Sequence, residues 1–427
     1  MALTIILVML VLLLLGYPMI VPMLVATFVG FFVYFPMLKS DIIVQQMISG
    51  ISPVALITVP MFILAADIVT RGHTANRLLD LAMTFFGHIK GGLAVTTAVA
   101  CTLFGAISGS TQATVVAIGG PIRPRMLQAG YDDRFTTALI INASDIAFLI
   151  PPSIGMIVFG IVGKVSIGEL FLAGIGPGLL ILVLFSIYSV WYAWRNNIPL
   201  APRIGWADRL RASRKASLAL MFPVLIIGGL YAGYFSPTEV AAIAVLYAFI
   251  LEVCIYRAVK LKDIPRIAYS TGLITGIVFV LVGTGAAFSW IISFAQLPQQ
   301  LIASIGLADA GPYTILFVIS LSFFVGCMFV DPIVVTLILT PIFMPLVNAA
   351  GIDPVLVGTL VTLQMAIGSC TPPFGCDIFT AIAVFKRPYM EVIRGTPPFI
   401  IMLLGVSVAL IFFPQIALFL RDLAFAD

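Results

Sequence analysis

The sequence predicts an all-α polytopic membrane protein built around an internal repeat. Three observations predict it. Of 427 residues, 61% are hydrophobic, and 22 Lys+Arg with 18 Asp+Glu leave only 9% charged, against about a quarter in soluble domains. Long uncharged stretches recur, and a membrane helix needs only about 20 apolar residues. Helix-breaking residues also recur in a fixed register.

That composition leaves no room for a separate soluble domain and excludes a soluble enzyme, a nucleic-acid binder and a secreted disulfide protein. The net charge of +4 is no nucleic-acid footprint, because the basic residues fall in short connections. Five Cys and two His, His73 and His88, are too scattered for a metal cluster or disulfide framework. No G-x-x-x-x-G-K-[ST] phosphate loop occurs, so ATP is not the direct energy source. No serine–histidine pair, paired catalytic Glu or zinc motif points to an enzyme.

The amino terminus is apolar and uncharged before Lys39. It lacks the basic start and small-residue cleavage site of a secretory signal and reads as a retained helix. Uncharged runs at 91–122 and 267–308 exceed one bilayer crossing, so each is two elements or one long bent element. A basic stretch holds Arg195, Arg203, Arg209, Arg211, Arg214 and Lys215 against one acid, Asp208. A second holds Arg257, Lys260, Lys262 and Arg266. Both read as cytoplasmic loops. Between them, 216–256 fits two helices joined at 233–239, and Trp191, Tyr192 and Trp194 read as interfacial anchors.

A shift of 221 residues, without a gap, aligns 105–152 with 326–373. Gly105 meets Gly326, Pro124 meets Pro345, Ala129-Gly130 meets Ala350-Gly351, Asp132 meets Asp353, and Pro151-Pro152 meets Pro372-Pro373. Most of these break or cap helices. Each copy reads as an apolar helix, a break, a second apolar stretch, an Ala-Gly-x-Asp turn and an apolar run broken by Pro-Pro. The sequence does not show whether the copies are parallel or inverted.

Four breaks therefore stand out: Gly105–Thr111, Ile150–Ser153, Gly326–Pro332 and Gly368–Gly375. Unpaired backbone groups in hydrocarbon cost several kcal/mol each, so such breaks persist only where protein, water or ligand satisfies them. Half-helix amino termini favour anions, and freed carbonyls with Ser and Thr hydroxyls suit Na⁺. Four carboxylates lie in apolar runs: Asp67, Asp145, Asp331 and Asp377. A charge there marks a functional position by default. The alternatives are a packing kink for each break and a helix-capping or neutral role for each Asp. With both His near segment ends, Na⁺ coupling is favoured over proton coupling.

Five motifs carry a resemblance over essentially the whole chain: Pro60–Ala65, Phe104–Ser110, Leu149–Ser153, Gly229–Ala242 with its Pro-Thr-Glu turn, and Thr371–Gly375. The sequence resembles the large membrane subunit of tripartite ATP-independent periplasmic (TRAP) transporters, with the sialic acid type as the expected branch. The resemblance implies inverted structural repeats with two re-entrant hairpins and two broken helices, working as an elevator in the bacterial inner membrane. It implies Na⁺ as coupling ion, two or more per cycle. It further implies two protein partners, a small four-helix membrane subunit and a periplasmic substrate-binding protein, with an organic acid as substrate.

On this resemblance, 1–90 is scaffold and connecting arm, 91–165 the first transport repeat, 166–311 scaffold, 312–390 the second transport repeat and 391–427 a carboxy-terminal scaffold helix. One Na⁺ site is implied at Gly105, Ser108, Gly109, Ser110 and Thr111 with Ile150, Pro151 and Ser153. Another is implied at Gly326, Cys327, Phe329 and Asp331 with Cys370 and Thr371. Substrate is implied between the tips, at Ser108, Asp145, Pro152, Asp331, Pro373 and Asp377. Asp145 and Asp377 depart from the family's commoner hydroxyl and amide residues. Two added carboxylates repel a C4-dicarboxylate and suit hydroxyl, amide or ammonium-like groups, so sialic acid is the expected substrate. The alternatives are a C4-dicarboxylate importer and a stand-alone Na⁺/anion carrier.

Overall fold

The computed structural model describes residues 1–200, 204–304, 306 and 310–425. Arg203 of the first basic stretch lies outside the described residues. The described residues are helical throughout, with no strand. Six helices are long and apolar enough to cross a bilayer, or up to eight if each of two bent pairs is one span.

The repeat register becomes helix geometry. The first hairpin is Gly92–Ser108 and Thr111–Gln128, and the second is Pro312–Phe329 and Pro332–Ala349. Each is followed by a broken helix: Asp133–Ser144 with Ile154–Gly163, then Pro354–Cys370 with Cys376–Phe385. The starts are capped alike. Asp132 accepts from the Arg134 amide at 2.7 Å, and Asp353 from the Val355 amide at 2.8 Å. The turn before each cap needs a left-handed residue, supplied by Gly130 (φ +90°) and Gly351 (φ +63°).

The hairpin tips stop at the breaks of the broken helices, so each hairpin returns to the side it entered. Between the hairpins the chain crosses by the first broken helix, Ile167–Arg195, Trp206–Tyr231, Pro237–Phe249 with its π-helical extension Ile250–Ile255, and Ile264–Phe294. That is an odd number of crossings. The second hairpin therefore enters from the opposite face, and the repeats are inverted.

Two packed bodies result. One holds the bent pair Asp41–Ile51 and Val54–Thr70, Pro237–Phe249 and Ile264–Phe294, with the amino-terminal helices against the last of these. The other holds the hairpins and broken helices. Two segments assigned above to the scaffold pack on this second body: Ile167–Arg195 and the bent pair Pro397–Phe412 and Gln415–Ala424. Aromatic stacking explains it. The Phe135 ring of the first broken helix stacks on Tyr192 with centroids 3.7 Å apart and meets Phe399 at 6.0 Å. Arg421 also reaches Asp353, Nη1 to Oδ2 at 2.6 Å.

The basic stretch also differs from the expected loop. A helix already starts at Trp206, so Arg209, Arg211, Arg214 and Lys215 occupy its first turns. The turn at 233–239 forms as expected, with Ser236 and Glu239 making a reciprocal capping box.

The amphipathic helix Thr74–Phe86 bridges the two bodies, packing on Trp206–Tyr231 and on the first hairpin. Its own N-cap, His73, supplies no side-chain bond. Glu252, fully buried, does so instead. It accepts from the His73 amide at 2.9 Å, the Thr74 amide at 3.1 Å and the Thr74 hydroxyl. Removing this acceptor strands buried donors, at about 1–3 kcal/mol. Glu252→Ala is expected to lower the thermal unfolding midpoint in detergent, read by tryptophan fluorescence, and Glu252→Gln to lower it less. An alanine variant as stable as wild type would remove the capping account.

Candidate functional site

Each hairpin tip is a two-residue interruption. In the first, Gly109 (φ +59°) ends one helix and Ser110 caps the next, accepting from the Ala113 amide at 3.3 Å. Ser108 Oγ lies 3.3 Å from both the Ser110 carbonyl and Thr114 Oγ1. In the second, the helix runs on to Phe329, and Asp331 caps Pro332–Ala349 through the Ile333 amide at 2.9 Å.

The tips sit on the breaks. A Cβ added at Gly109 would lie 2.3 Å from the Pro152 carbonyl oxygen, and one at Gly368 would lie 2.2 Å from Cys327 Cβ. The Phe374 amide donates to the Met328 carbonyl at 3.2 Å, closing a backbone bond between second break and second tip. Ser153 caps the far half of the first broken helix, accepting from the Met156 amide at 3.3 Å. At the breaks, two side-chain bonds join the repeats. Thr111 Oγ1 donates to Asp377 at 2.9 Å, and Ser369 Oγ donates to Asp145 at 2.9 Å.

A cavity of about 370 Å³ opens where the two bodies meet. The hairpin body contributes Ser108 through Ala113, Phe148, Ile154, Asp331 through Ile333, and Cys376. The opposite body contributes Ile63, Ala66, Asp67, Ile274, Ile277, Val278 and Leu281. Asp67 is steadied by Thr271, whose hydroxyl donates to Oδ2 at 2.9 Å. Two helices, Thr111–Gln128 and Pro332–Ala349, begin at this cavity. Their amino termini turn partial positive charge toward it.

The residues expected at the site fall into layers. Ser108, Gly109, Ser110, Thr111 and Asp331 line the cavity. Gly105, Ile150, Pro151 and Ser153 lie behind the first tip; Gly326, Cys327, Cys370 and Thr371 lie behind the second. Asp145 and Asp377 are 1% and 0% exposed and sit inside the wall. Pro152 and Pro373 pack at the breaks without lining the cavity, and the Phe329 ring turns outward beside Phe374. Oxygen donors suited to a hard cation collect at both tips: the Ser108 hydroxyl and Ser110 carbonyl at one, the Asp331 carboxylate and Gly326–Phe329 carbonyls at the other.

Sequence reasoning left Asp67 and Gln112 out of the site. A carboxylate within an apolar run was a signal for Asp67. Gln112 gave none, and neither did Ile274, Ile277, Val278 and Leu281, which are apolar among apolar neighbours.

Inverted hairpins meeting broken helices at a cavity inside a membrane bundle define a transporter permease, not an enzyme. The particular family follows from comparison. The model of the DctM component of tripartite ATP-independent periplasmic transporters matches residues 6–416. The chain is 66% identical over 427 residues, all of both chains, to the ectoine/5-hydroxyectoine TRAP transporter large permease protein UehC of Ruegeria pomeroyi. It is 63% identical to the ectoine TRAP transporter large permease protein TeaC of Halomonas elongata, over 97% of each chain. To the C4-dicarboxylate large permease DctM of Pseudomonas aeruginosa it is 34% identical, over 86% of each. Among solved structures, the YdaH transporter of Alcanivorax borkumensis has a TM-score of 0.65 at 16% identity, covering 88% of this chain and 89% of that one, a likeness of fold. This chain belongs to the DctM family and is a large TRAP permease of the bacterial inner membrane.

The close seating of tips on breaks is testable. Overpacking costs about 1–3 kcal/mol, so Gly109→Ala and Gly368→Ala are each expected to lower uptake roughly tenfold or more. Gly120→Ala, where nothing lies within 4 Å of the added Cβ, is expected to retain it. Equal uptake by all three variants in proteoliposomes would contradict the contact.

Proposed function

We propose that this chain is the membrane pathway of a Na⁺-driven importer of ectoine-type zwitterions, delivered by a periplasmic binding protein and assisted by a small membrane subunit of about four helices. The observation that carries the substrate is the contrast in identity. The chain is 66% and 63% identical to two permeases named for ectoine, against 34% for one named for C4-dicarboxylates. The expectation of sialic acid is corrected accordingly, since these relatives are named for ectoine.

The cavity supports this chemically. Ectoine is a ring amidinium bearing a carboxylate. Asp67 and Asp331 line the cavity, and no Lys, Arg or His is in its lining. Two uncompensated carboxylates suit an amidinium and repel a dianion. The helix amino termini at Thr111 and Pro332 suit the substrate's carboxylate. In this reading the acidic partners are Asp331, already expected at the substrate site, and Asp67, while Asp145 and Asp377 lie buried in the wall.

The hairpin tips are the coupling sites in this reading, with Na⁺ at the Ser108–Thr111 and Gly326–Asp331 oxygens. One inward charge at 100 mV gains about 2.3 kcal/mol, roughly 50-fold in concentration for a neutral zwitterion. The hairpin body moves as the elevator against the body bearing Asp67. Substrate at their boundary then changes access as the two slide.

The test is uptake of labelled ectoine into proteoliposomes holding this chain and its small subunit, with cognate binding protein and an inward Na⁺ gradient. Uptake needing both, and competed by hydroxyectoine but not by sialic acid or a C4-dicarboxylate, is the expected result. Uptake without the binding protein would favour a stand-alone carrier. Asp67→Asn is expected to raise the half-saturating ectoine concentration several-fold. An unchanged value would remove Asp67 from recognition.

A further inference from the structure

Behind the first tip, two carboxyl groups share one enclosed space. Asp145 and Asp377 are 1% and 0% exposed and are electrostatic neighbours. One oxygen of each is bonded: Asp145 Oδ1 by Ser369 Oγ at 2.9 Å, and Asp377 Oδ1 by Thr111 Oγ1 at 2.9 Å. The other oxygen of each, Oδ2, is buried with no partner. Among the described residues, no salt bridge reaches either carboxyl.

This arrangement is incomplete as it stands. Each unpartnered buried oxygen forfeits its hydration. Two neighbouring buried carboxylates repel, and such a pair persists only with compensation. Part of it is present: Asp377 lies in the first turn of Cys376–Phe385, and Thr111 opens the helix after the first tip. Both helix ends bring partial positive charge. What remains is one positive charge and a ligand for two orphan oxygens. Carboxylate and hydroxyl oxygens together are the donor set of a small hard cation.

We propose that Asp145 and Asp377, with the Thr111 and Ser369 hydroxyls, form a Na⁺ site of their own, distinct from the pairing of each tip with its own break. This site spans the repeats: Thr111 comes from the first tip, Asp145 from the approach to the first break, and Ser369 and Asp377 from either side of the second. A cation there ties both broken helices and the first tip into one unit. It neutralises the wall behind the cavity and does not touch the substrate. It does not rest on the ectoine reading.

The experiment is equilibrium ²²Na⁺ binding to the purified complex of this chain and its small membrane subunit, at fixed pH and without substrate. Asp145→Asn and Asp377→Asn are each expected to bind one Na⁺ fewer than wild type. Ser369→Ala, which keeps both carboxyls, is expected to keep the count and weaken one class of site several-fold. Thermal unfolding followed by tryptophan fluorescence checks that each variant is folded, and Ser369→Ala carries the test alone if an Asn variant is not. Equal counts and affinities in wild type and the folded variants would overturn the proposal. So would an occupancy of this pair that follows pH at constant Na⁺ and ignores Na⁺ at constant pH. Ectoine uptake plays no part in the readout, so a wrong substrate leaves the result interpretable.

Discussion

Four interruptions of helical hydrogen bonding, all at depth in an apolar bundle, are the constraint on which the rest of this structure depends. Lipid offers no partner to a freed backbone group. Each interruption is therefore placed against another: the first tip on the first Pro-Pro break, the second tip on the second. The Phe374 amide bonded to the Met328 carbonyl is this solution at its most direct. Close seating needs small residues at Gly109 and Gly368, and the same closeness gathers carbonyl and hydroxyl oxygens at two points.

The carboxylates divide by depth. Asp67 and Asp331 face the cavity from opposite bodies, where they can meet a substrate's cationic group. Asp145 and Asp377 are sealed behind it and bonded by hydroxyls from other segments. Each Asp is expensive in hydrocarbon, and each has a distinct neighbourhood that accounts for its presence. Their number also weighs against a dianionic substrate, which would add to negative charge already concentrated there.

The division into two bodies places the cavity at the boundary between them. Ile167–Arg195 and the carboxy-terminal helices belong with the hairpins because aromatic rings and the Arg421–Asp353 pair hold them there. The body bearing Asp67 touches the hairpin body largely through apolar side chains; a directional bond between them is that from the Ser289 hydroxyl to the Leu337 carbonyl, at 3.0 Å. The helix Thr74–Phe86 connects the two and is anchored at its start by a buried Glu252. Such an anchor fixes where the connection begins.

Much of this was legible in the sequence because membrane proteins write it in residues that cannot be hidden. A Pro-Pro pair, a Gly-rich break or a charge in an apolar run has no ordinary place in a continuous membrane helix. The repeat, the hairpins, the tips and the positions of all four carboxylates follow from that. What tertiary structure alone decided was which of these residues meet. Asp145 and Asp377 are 232 positions apart and equally conspicuous, and nothing local says that both are buried in the wall behind the cavity. Ile274 and Leu281 line the cavity while looking like any apolar helix face, since hydropathy cannot distinguish lipid, protein and cavity as neighbours. The sequence by itself determined where the helices had to break; packing decided which breaks shared a site, because unpaired groups are matched in space and not along the chain.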